Sequence, residues 1–196
     1  MSSASRSRTE VAQRLRAVLL DPEAAAALDV HGRIDAAVLV PLYLKDGDLH
    51  AVFTRRREDM RRHPGEISFP GGRQDDDETD LRLTALREAE EEIGLPTSDV
   101  ELIGALPPVG TFVTDYKIHP FVGVIEAGTV WELQPSEVEV VLEFSLRDLV
   151  RGHEMKRLIR KGVPFKTPTY TVNGSMIWGA TARIVQDLLE RLEPVI

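Results

Sequence analysis

The sequence predicts an α+β fold, in which helices sandwich a mixed β-sheet. Asp46-Gly47 and Asn173-Gly174 each lie between apolar, β-rich runs, where such pairs supply the positive φ angles of a tight hairpin. The strand candidates also alternate irregularly with a few helical segments, unlike the regular strand-helix-strand order of a parallel sheet. We therefore expect a sheet built from hairpins and covered by helices.

The individual elements follow from the spacing of apolar residues. A helix is predicted over residues 9–20, with Thr9 as its N-cap. A second helix is predicted over residues 79–93, because Gly94 and Pro96 end the pattern there. Strands are predicted at 35–44, 49–57, 67–72, 100–106, 119–126, 137–146 and in the hairpin 167–178, with a helical turn at 145–150 and a closing helix at 176–192.

Composition excludes several classes of protein. The 196 residues fit one domain with short appendages, and 42% hydrophobic with 29% charged residues is ordinary for a globular chain. A net charge of -8 repels phosphates, which disfavours nucleic acid and anionic membranes as partners. Cysteine is absent, and the longest apolar run, residues 36–44, is too short to span a bilayer. We therefore expect a cytoplasmic protein.

The acidic run REAEEE, residues 87–92, is the most unusual feature of the chain. At 100° per residue, an apolar stripe that is expected to face the core is formed by Leu83, Leu86, Ala89 and Ile93. The remaining faces of this helix are then expected to be exposed.

Three carboxylates of this run, those of Glu88, Glu91 and Glu92, fall opposite the stripe and within reach of one another. Like charges at this spacing destabilise a helix, so the cluster needs a reason. One interpretation is a solvated acidic face. The other is a divalent cation such as Mg²⁺, which takes carboxylate oxygens as ligands and would attract phosphates to an acidic protein.

The segment resembles the Nudix box, GX5EX7REUXEEXGU, in which U is an aliphatic residue. The helical half is matched by Arg87, Glu88, Ala89, Glu91, Glu92, Gly94 and Leu95. Gly72 and Glu78 match the first half, but eight residues instead of seven separate Glu78 from Arg87, which leaves the role of Glu78 open. The resemblance implies a Nudix-like α/β/α sandwich with a mixed β-sheet and a catalytic loop-helix over residues 31–196, after an N-terminal helical extension at 1–30.

The stretch before the box is similar to the signature of the coenzyme A pyrophosphatase branch of Nudix enzymes, LLTxR(S/A)xxxRxxxGxxxFPGG. Residues 52–72 are in register at Thr54, Arg56, Arg61, Gly65, Phe69, Pro70, Gly71 and Gly72. Arg57 stands where the pattern has a small residue. The resemblance implies Mg²⁺-dependent hydrolysis of a nucleoside diphosphate linked to another moiety, with coenzyme A or acyl-CoA cleaved to 3′,5′-ADP and 4′-phosphopantetheine.

The resemblance also implies roles for individual residues. Glu88 and Glu92 are the first expected ligands of Mg²⁺, or of Mn²⁺ in its place, and Glu91 is a third, direct or through water. Arg87 is expected to orient the box carboxylates by ion pairing. The general base remains open among Glu88, Glu91, Glu137 and Glu139.

Substrate contacts are expected from Arg56 and Arg61, because guanidinium groups suit phosphate oxygens, and from Gly71 and Gly72, which allow close backbone approach. The expected partner is a small molecule, coenzyme A or a related nucleotide, and a homodimer is compatible with the sequence. Two alternatives remain open. One is an ADP-ribose or dinucleotide substrate within the same superfamily, and the other is a Nudix-fold module that senses a nucleotide without cleaving it.

Overall fold

The computed structural model describes residues 8–60, 63–111, 114–160 and 162–193. Its helices are α1 (Arg8–Arg16), α2 (Pro22–Ala26), α3 (Leu81–Ile93), α4 (Leu146–Arg151) and α5 (Gly179–Leu192), with a 3₁₀ turn at Thr97–Asp99. Its strands are β1 (Ile34–Lys45), β2 (Asp48–Arg56), β3 (Ile67–Ser68), β4 (Gly71–Arg73), β5 (Glu101–Ala105), β6 (Val109–Gly110), β7 (Tyr116–Val124), β8 (Val138–Ser145), β9 (His153–Arg160), β10 (Val163–Val172) and β11 (Ser175–Ile177).

Both predicted hairpins are present. Asp46 and Gly47 join β1 to β2 with φ angles of 53° and 81°, and Asn173 and Gly174 join β10 to β11 with φ angles of 50° and 79°. These values lie in the left-handed region that glycine and short polar residues tolerate. The flanking strands consequently pair antiparallel.

The strands of the described chain form two sheets. The larger is mixed and follows the order β3-β2-β1-β7-β5, with β4 on β1, β6 on β7 and β8 on β2. β1 and β7 run parallel, whereas the neighbouring pairs are antiparallel. The smaller sheet has the order β11-β10-β9. The α+β class and the mixed sheet are therefore confirmed.

Alternation along the central strands places apolar side chains on both faces of the larger sheet. Leu39 and Val52 pack on the face that α3 covers. Val40 and Phe53 pack on the other face, with α1, α5 and the smaller sheet. Helices therefore cover the sheet on both sides, as in a sandwich. Among the described residues, no helix has the length and hydropathy that a bilayer crossing requires.

Helix α3 follows the predicted boundaries closely. Asp80 caps its first turn by accepting a hydrogen bond from the Arg82 amide at 2.9 Å. Gly94 ends it with a φ of 66°, and its amide donates to the Ala89 and Glu90 carbonyls. This left-handed cap is the reason that glycine stands at this position.

The face that α3 buries differs from the predicted stripe. Leu83 is 58% exposed, whereas Glu92 is only 5% exposed. Ala85 and Ala89 are fully buried, and their small side chains let the helix approach β1 closely. The buried face is therefore centred on these alanines and is rotated about the helix axis by roughly a quarter turn from Leu86. The expectation that Glu92 lies opposite the core is therefore wrong, and its carboxylate is held beneath the helix.

Three further elements differ from the predictions. β9 was not predicted, because its sequence has no alternation of apolar and polar residues. The closing helix, predicted from residue 176, begins only at Gly179, and Ile177 belongs to β11, within the predicted hairpin 167–178. Helix α1 ends at Arg16, four residues before the predicted end, and the chain continues to Leu20, which bridges to Ala105.

Candidate active site

The glycine turn before α3 brings the backbone close to the acidic helix. β4 pairs with β1 at Val38 and Gly71 and at Ala37 and Gly72. A Cβ atom on Gly71 would collide with the Ala37 carbonyl, and one on Gly72 would collide with the Glu88 carboxylate. Both positions therefore require glycine for close approach. The Gly71 amide also donates to Glu92 Oε2 at 3.3 Å.

Glu92 is a buried carboxylate in an acidic environment. Burial raises its pKa to about 8, while the Gly71 hydrogen bond and Arg56 act in the opposite direction, and the charges of Glu88 and Glu137 raise the pKa further. The pKa of Glu88 is also raised, chiefly by burial. Ionising both groups is costly without additional positive charge nearby.

Arg56 lies between two carboxylates at the end of β2. Its Nη1 is 3.8 Å from Glu92 Oε1 and its Nη2 is 3.7 Å from Glu137 Oε2. Both distances exceed a hydrogen bond, and its buried Nε has no hydrogen-bond partner among the described residues. The guanidinium therefore has free donors for an anion, and its side chain is 25% exposed.

Arg87 ties the loop before α3 to the helix. Its Nε donates to Glu78 Oε1 at 2.8 Å, and its Nη1 donates to Glu88 Oε1 at 2.9 Å and to Glu91 Oε2 at 3.3 Å. Thr84 Oγ1 also donates to Glu78, at 2.7 Å. These hydrogen bonds lower the pKa of Glu78 to about 2, and the bond from Arg87 has the largest effect.

The additional residue in the loop therefore does not remove Glu78 from the network. Glu78 is 15% exposed and bonded to the arginine that contacts the helix carboxylates. Glu78 is therefore placed to hold the Arg87 side chain in position.

The segment between β7 and β8 completes the site, and the way in which it is held was not predictable from the sequence. The Glu132 amide donates to the Ile93 carbonyl at 3.1 Å, and the Gln134 amide donates to the Glu92 carbonyl at 2.9 Å. These bonds fix the segment to the last turn of α3. They bring Glu137, a base candidate, beside Arg56.

Other predicted residues are placed differently. Glu139 pairs with Arg55 at 3.1 Å, and Arg55 leaves β2 on the face opposite Arg56. Glu91 is 58% exposed and contacts Arg87. Arg61 lies outside the described residues.

The donor set suits a hard cation, although the described residues include no ready-made group of three histidine or acidic side chains for a metal. Burial raises the pKa values of both Glu88 and Glu92. The charges of Glu91 and Glu137 raise the pKa of Glu88 further, and those of Glu88 and Glu137 raise the pKa of Glu92 further. Mg²⁺ is commonly held by one or two carboxylates together with water and substrate phosphates. A divalent cation at this position would add positive charge to that of Arg87 beside Glu88 and of Arg56 near Glu92.

Together, the mixed sheet, the glycine turn and the glutamate-bearing helix define an α+β protein whose candidate site is formed by a loop and the helix that follows it. The sequence model of the NUDIX domain family matches residues 33–163. The uncharacterized Nudix hydrolase NudL of Enterobacter sp. (strain 638) is 37% identical over 163 residues, which cover 82% of this chain and 83% of that protein. The chain belongs to the Nudix hydrolase family, and it is an enzyme.

Solved structures agree on the fold. The MutT protein from Methanosarcina mazei Go1 gives a TM-score of 0.52 at 18% identity, covering 82% of this chain and 93% of that one. The NUDIX domain of Shewanella oneidensis NrtR, solved with ADP-ribose, gives a TM-score of 0.50 at 18% identity and covers 68% of this chain and 88% of that one. At this identity the likeness concerns the fold alone.

Proposed function

We propose that the protein hydrolyses the diphosphate of a nucleoside diphosphate linked to another moiety, with coenzyme A or an acyl-CoA as the substrate. The observation that carries this proposal is the Arg56 guanidinium between Glu92 and Glu137, with Glu88 close enough for its charge to raise the pKa of Glu92. Such a site combines charge for a metal, a donor for phosphate oxygens and a carboxylate with access to water.

Glu88 and Glu92 are the proposed metal ligands, with Glu91 as a third ligand or a water-mediated one. When bound, Mg²⁺ or Mn²⁺ neutralises charge on the phosphate oxygens and lowers the pKa of a coordinated water. The Gly71 amide holds Glu92 in place, and Arg87 holds Glu88. These bonds preorganise both carboxylates.

Arg56 is proposed to bind a substrate phosphate. Its unpartnered donors suit the non-bridging oxygens of a diphosphate. Glu137 is the proposed general base, because it lies 3.7 Å from Arg56, the arginine that also faces Glu92, and forms no hydrogen bond with it. Glu139 is hydrogen-bonded to Arg55 at 3.1 Å instead. A base must reach the water whose proton it takes, and an exposed carboxylate at the site meets this condition.

Coenzyme A is favoured over other nucleotides by the signature at residues 52–72. Coenzyme A carries a 3′-phosphate besides its diphosphate, so a second arginine in this stretch, Arg61, has a separate anion to bind. ADP-ribose or a dinucleotide would use the same diphosphate chemistry without that phosphate. The intact carboxylate set favours an enzyme over a nucleotide sensor.

The test is product analysis after incubation with Mg²⁺ and, separately, coenzyme A, ADP-ribose, NADH and a nucleoside triphosphate. Coenzyme A should be cleaved at least about tenfold faster than the others, and 3′,5′-ADP should be released. Faster cleavage of ADP-ribose would reassign the substrate. Binding without turnover of any compound would support the sensor.

A second measurement follows the metal itself. Mg²⁺ or Mn²⁺ should raise the melting temperature of the wild-type protein, because a ligand of the native state stabilises it by mass action. The Glu88→Gln variant should show a smaller rise, and the exposed Glu90→Gln variant should behave as the wild type. An equal rise in all three would remove Glu88 from the ligand set.

A further inference from the structure

A cavity of about 240 Å³ lies between α1, the β1–β2 hairpin and α4. Leu49, near the start of β2, lines this cavity, whereas Arg56 is the last residue of the same strand. At a rise of about 3.3 Å per residue, the seven steps from Leu49 to Arg56 place the cavity about 23 Å from Arg56 along the strand. The cavity is therefore separate from the candidate active site, and what it binds does not depend on the proposed reaction.

The walls of the cavity are mostly aliphatic. Leu15, Leu49 and Leu146 are at most 9% exposed, so the floor of the cavity belongs to the hydrophobic core. Val150 is 54% exposed, which places it at the mouth. An apolar cavity of about 150 Å³ holds a benzene molecule, so this larger one has room for an aliphatic chain. Its aliphatic lining consists of Val11, Leu15, Leu44, Leu49, Leu146 and Val150.

The described lining also carries three charged side chains, those of Arg14, Asp48 and Arg147. Arg147 Nε lies 3.5 Å from Asp48 Oδ2, so these two charges offset each other. Arg14, on α1, is partly buried and forms no hydrogen bond or ion pair with a described residue. Its guanidinium group therefore has donors available for an anion beside the aliphatic walls.

This combination favours one class of ligand over the alternatives. A neutral hydrocarbon would fill the cavity but leave the partly buried Arg14 without a partner. A peptide segment would bring backbone N–H and C=O groups that aliphatic walls cannot pair. A bilayer surface would not reach Leu15 and Leu146, which are at most 2% exposed. A single aliphatic chain that ends in a carboxylate meets both requirements.

We propose that this cavity binds a free fatty acid of medium chain length, with its carboxylate on Arg14. Burial of the chain supplies most of the affinity. Arg14 supplies the preference for a carboxylate over an alcohol, because a hydrogen bond between two charged groups is stronger than one to a neutral group. The bound chain would contact α1, the hairpin and α4 together, and would thereby stabilise the docking of the N-terminal helix on the sheet.

The test is equilibrium dialysis of the full chain against hexanoate, octanoate and decanoate, each below its micellar concentration, and against 1-octanol. Affinity should rise about fourfold for each added CH₂ group until the chain fills the cavity, and then level off. Octanol should bind at least about tenfold more weakly than octanoate. No binding of any carboxylate at millimolar concentration would overturn the proposal, as would equal affinities for octanoate and octanol.

Substitutions locate the site. Arg14→Gln should lower the affinity for octanoate at least about tenfold and leave that for octanol unchanged. Arg183→Gln, an exposed position on α5, is the matched control and should change neither. Val150→Glu places a negative charge at the mouth and should also weaken octanoate binding, and circular dichroism should show that each variant is folded. Octanoate binding that survives both Arg14→Gln and Val150→Glu would overturn the assignment, as would binding to phosphatidylglycerol vesicles without binding of octanoate.

Discussion

Arg87 Nε donates to Glu78 Oε1 at 2.8 Å, which joins the loop before α3 to the arginine that holds Glu88. The pairing persists although the loop is one residue longer than in the family pattern. We therefore propose that Glu78 acts on the site through Arg87.

Glu78→Gln should weaken this support. We expect kcat to fall about tenfold, and the free energy of unfolding to fall by about 2 kcal/mol, because a hydrogen bond to a charged group is lost. Steady-state kinetics and urea unfolding measure the two effects. Asp76→Asn, in the same loop with a 98% exposed side chain, should change neither. A fall in KM alone would show that Glu78 serves another purpose.

Glu92→Gln should separate stability from activity. The pKa of Glu92 is raised from 4.5 to about 8, so between these values the folded protein keeps a proton that the unfolded chain has released. The free energy of unfolding of the metal-free protein therefore falls as pH rises through this interval. The Glu92→Gln substitution should make the free energy of unfolding depend less on pH. At the upper end of this pH interval the metal-free variant should be more stable than the metal-free wild type.

The measurement is urea unfolding in the presence of EDTA across that pH interval, together with turnover in Mg²⁺. A residual slope is expected from Glu88, whose pKa is also raised. Activity should fall by roughly 10³-fold, since charge stabilisation at the reacting phosphate is lost. The control is Glu90→Gln, and an equal pH dependence in both variants would contradict the assignment.

Glu137 and Glu139 are a matched pair for locating the general base. Glu137 lies 3.7 Å from Arg56, and Glu139 is held by Arg55. Glu137→Gln should lower kcat about 100-fold with little change in KM, because proton transfer is lost and substrate binding is kept. Glu139→Gln should keep the wild-type kcat. Equal losses would return the role to Glu88 or Glu91, and Glu91→Gln then decides between those two.

Gly72→Ala tests the close approach of the turn to α3. The added methyl group would collide with the Glu88 carboxylate, so we expect that carboxylate to be displaced. Metal-dependent turnover should fall at least about tenfold, as small displacements of catalytic groups are costly. Arg73→Ala, next along the strand and 63% exposed, should retain activity. Full activity of Gly72→Ala would show that Glu88 can move without consequence.

Local patterns predicted much of this fold. The hairpin turns depend on two residues each, and α3 depends on its cap glycine, so short segments carry sufficient information. The burial of Glu92 could not be predicted in this way. It depends on Ala85 and Ala89 drawing the helix onto β1 and on a backbone amide from Gly71, which lies 21 residues earlier.

The part of the site that lies within a sequence motif was predictable. The part that depends on how separate loops and strands pack together was not. Arg87 and Glu88 form the predicted ion pair. The choice between Glu137 and Glu139 depended on how β8 registers with β2, where a bulge lies between Arg55 and Arg56. The pairing of β9 was missed because the strand is held by β10 and not by an apolar stripe of its own.

The last turn of α3 binds the segment before β8 through the Glu92 and Ile93 carbonyls. A substitution that frays this turn would thus shift the side chain of Glu92 and, at the same moment, release Glu137 from its place beside Arg56. Both glutamates, which are distant in the sequence, would then be displaced at once. A substitution at a helix end that contacts no substrate would therefore lower activity as much as the loss of two active-site residues.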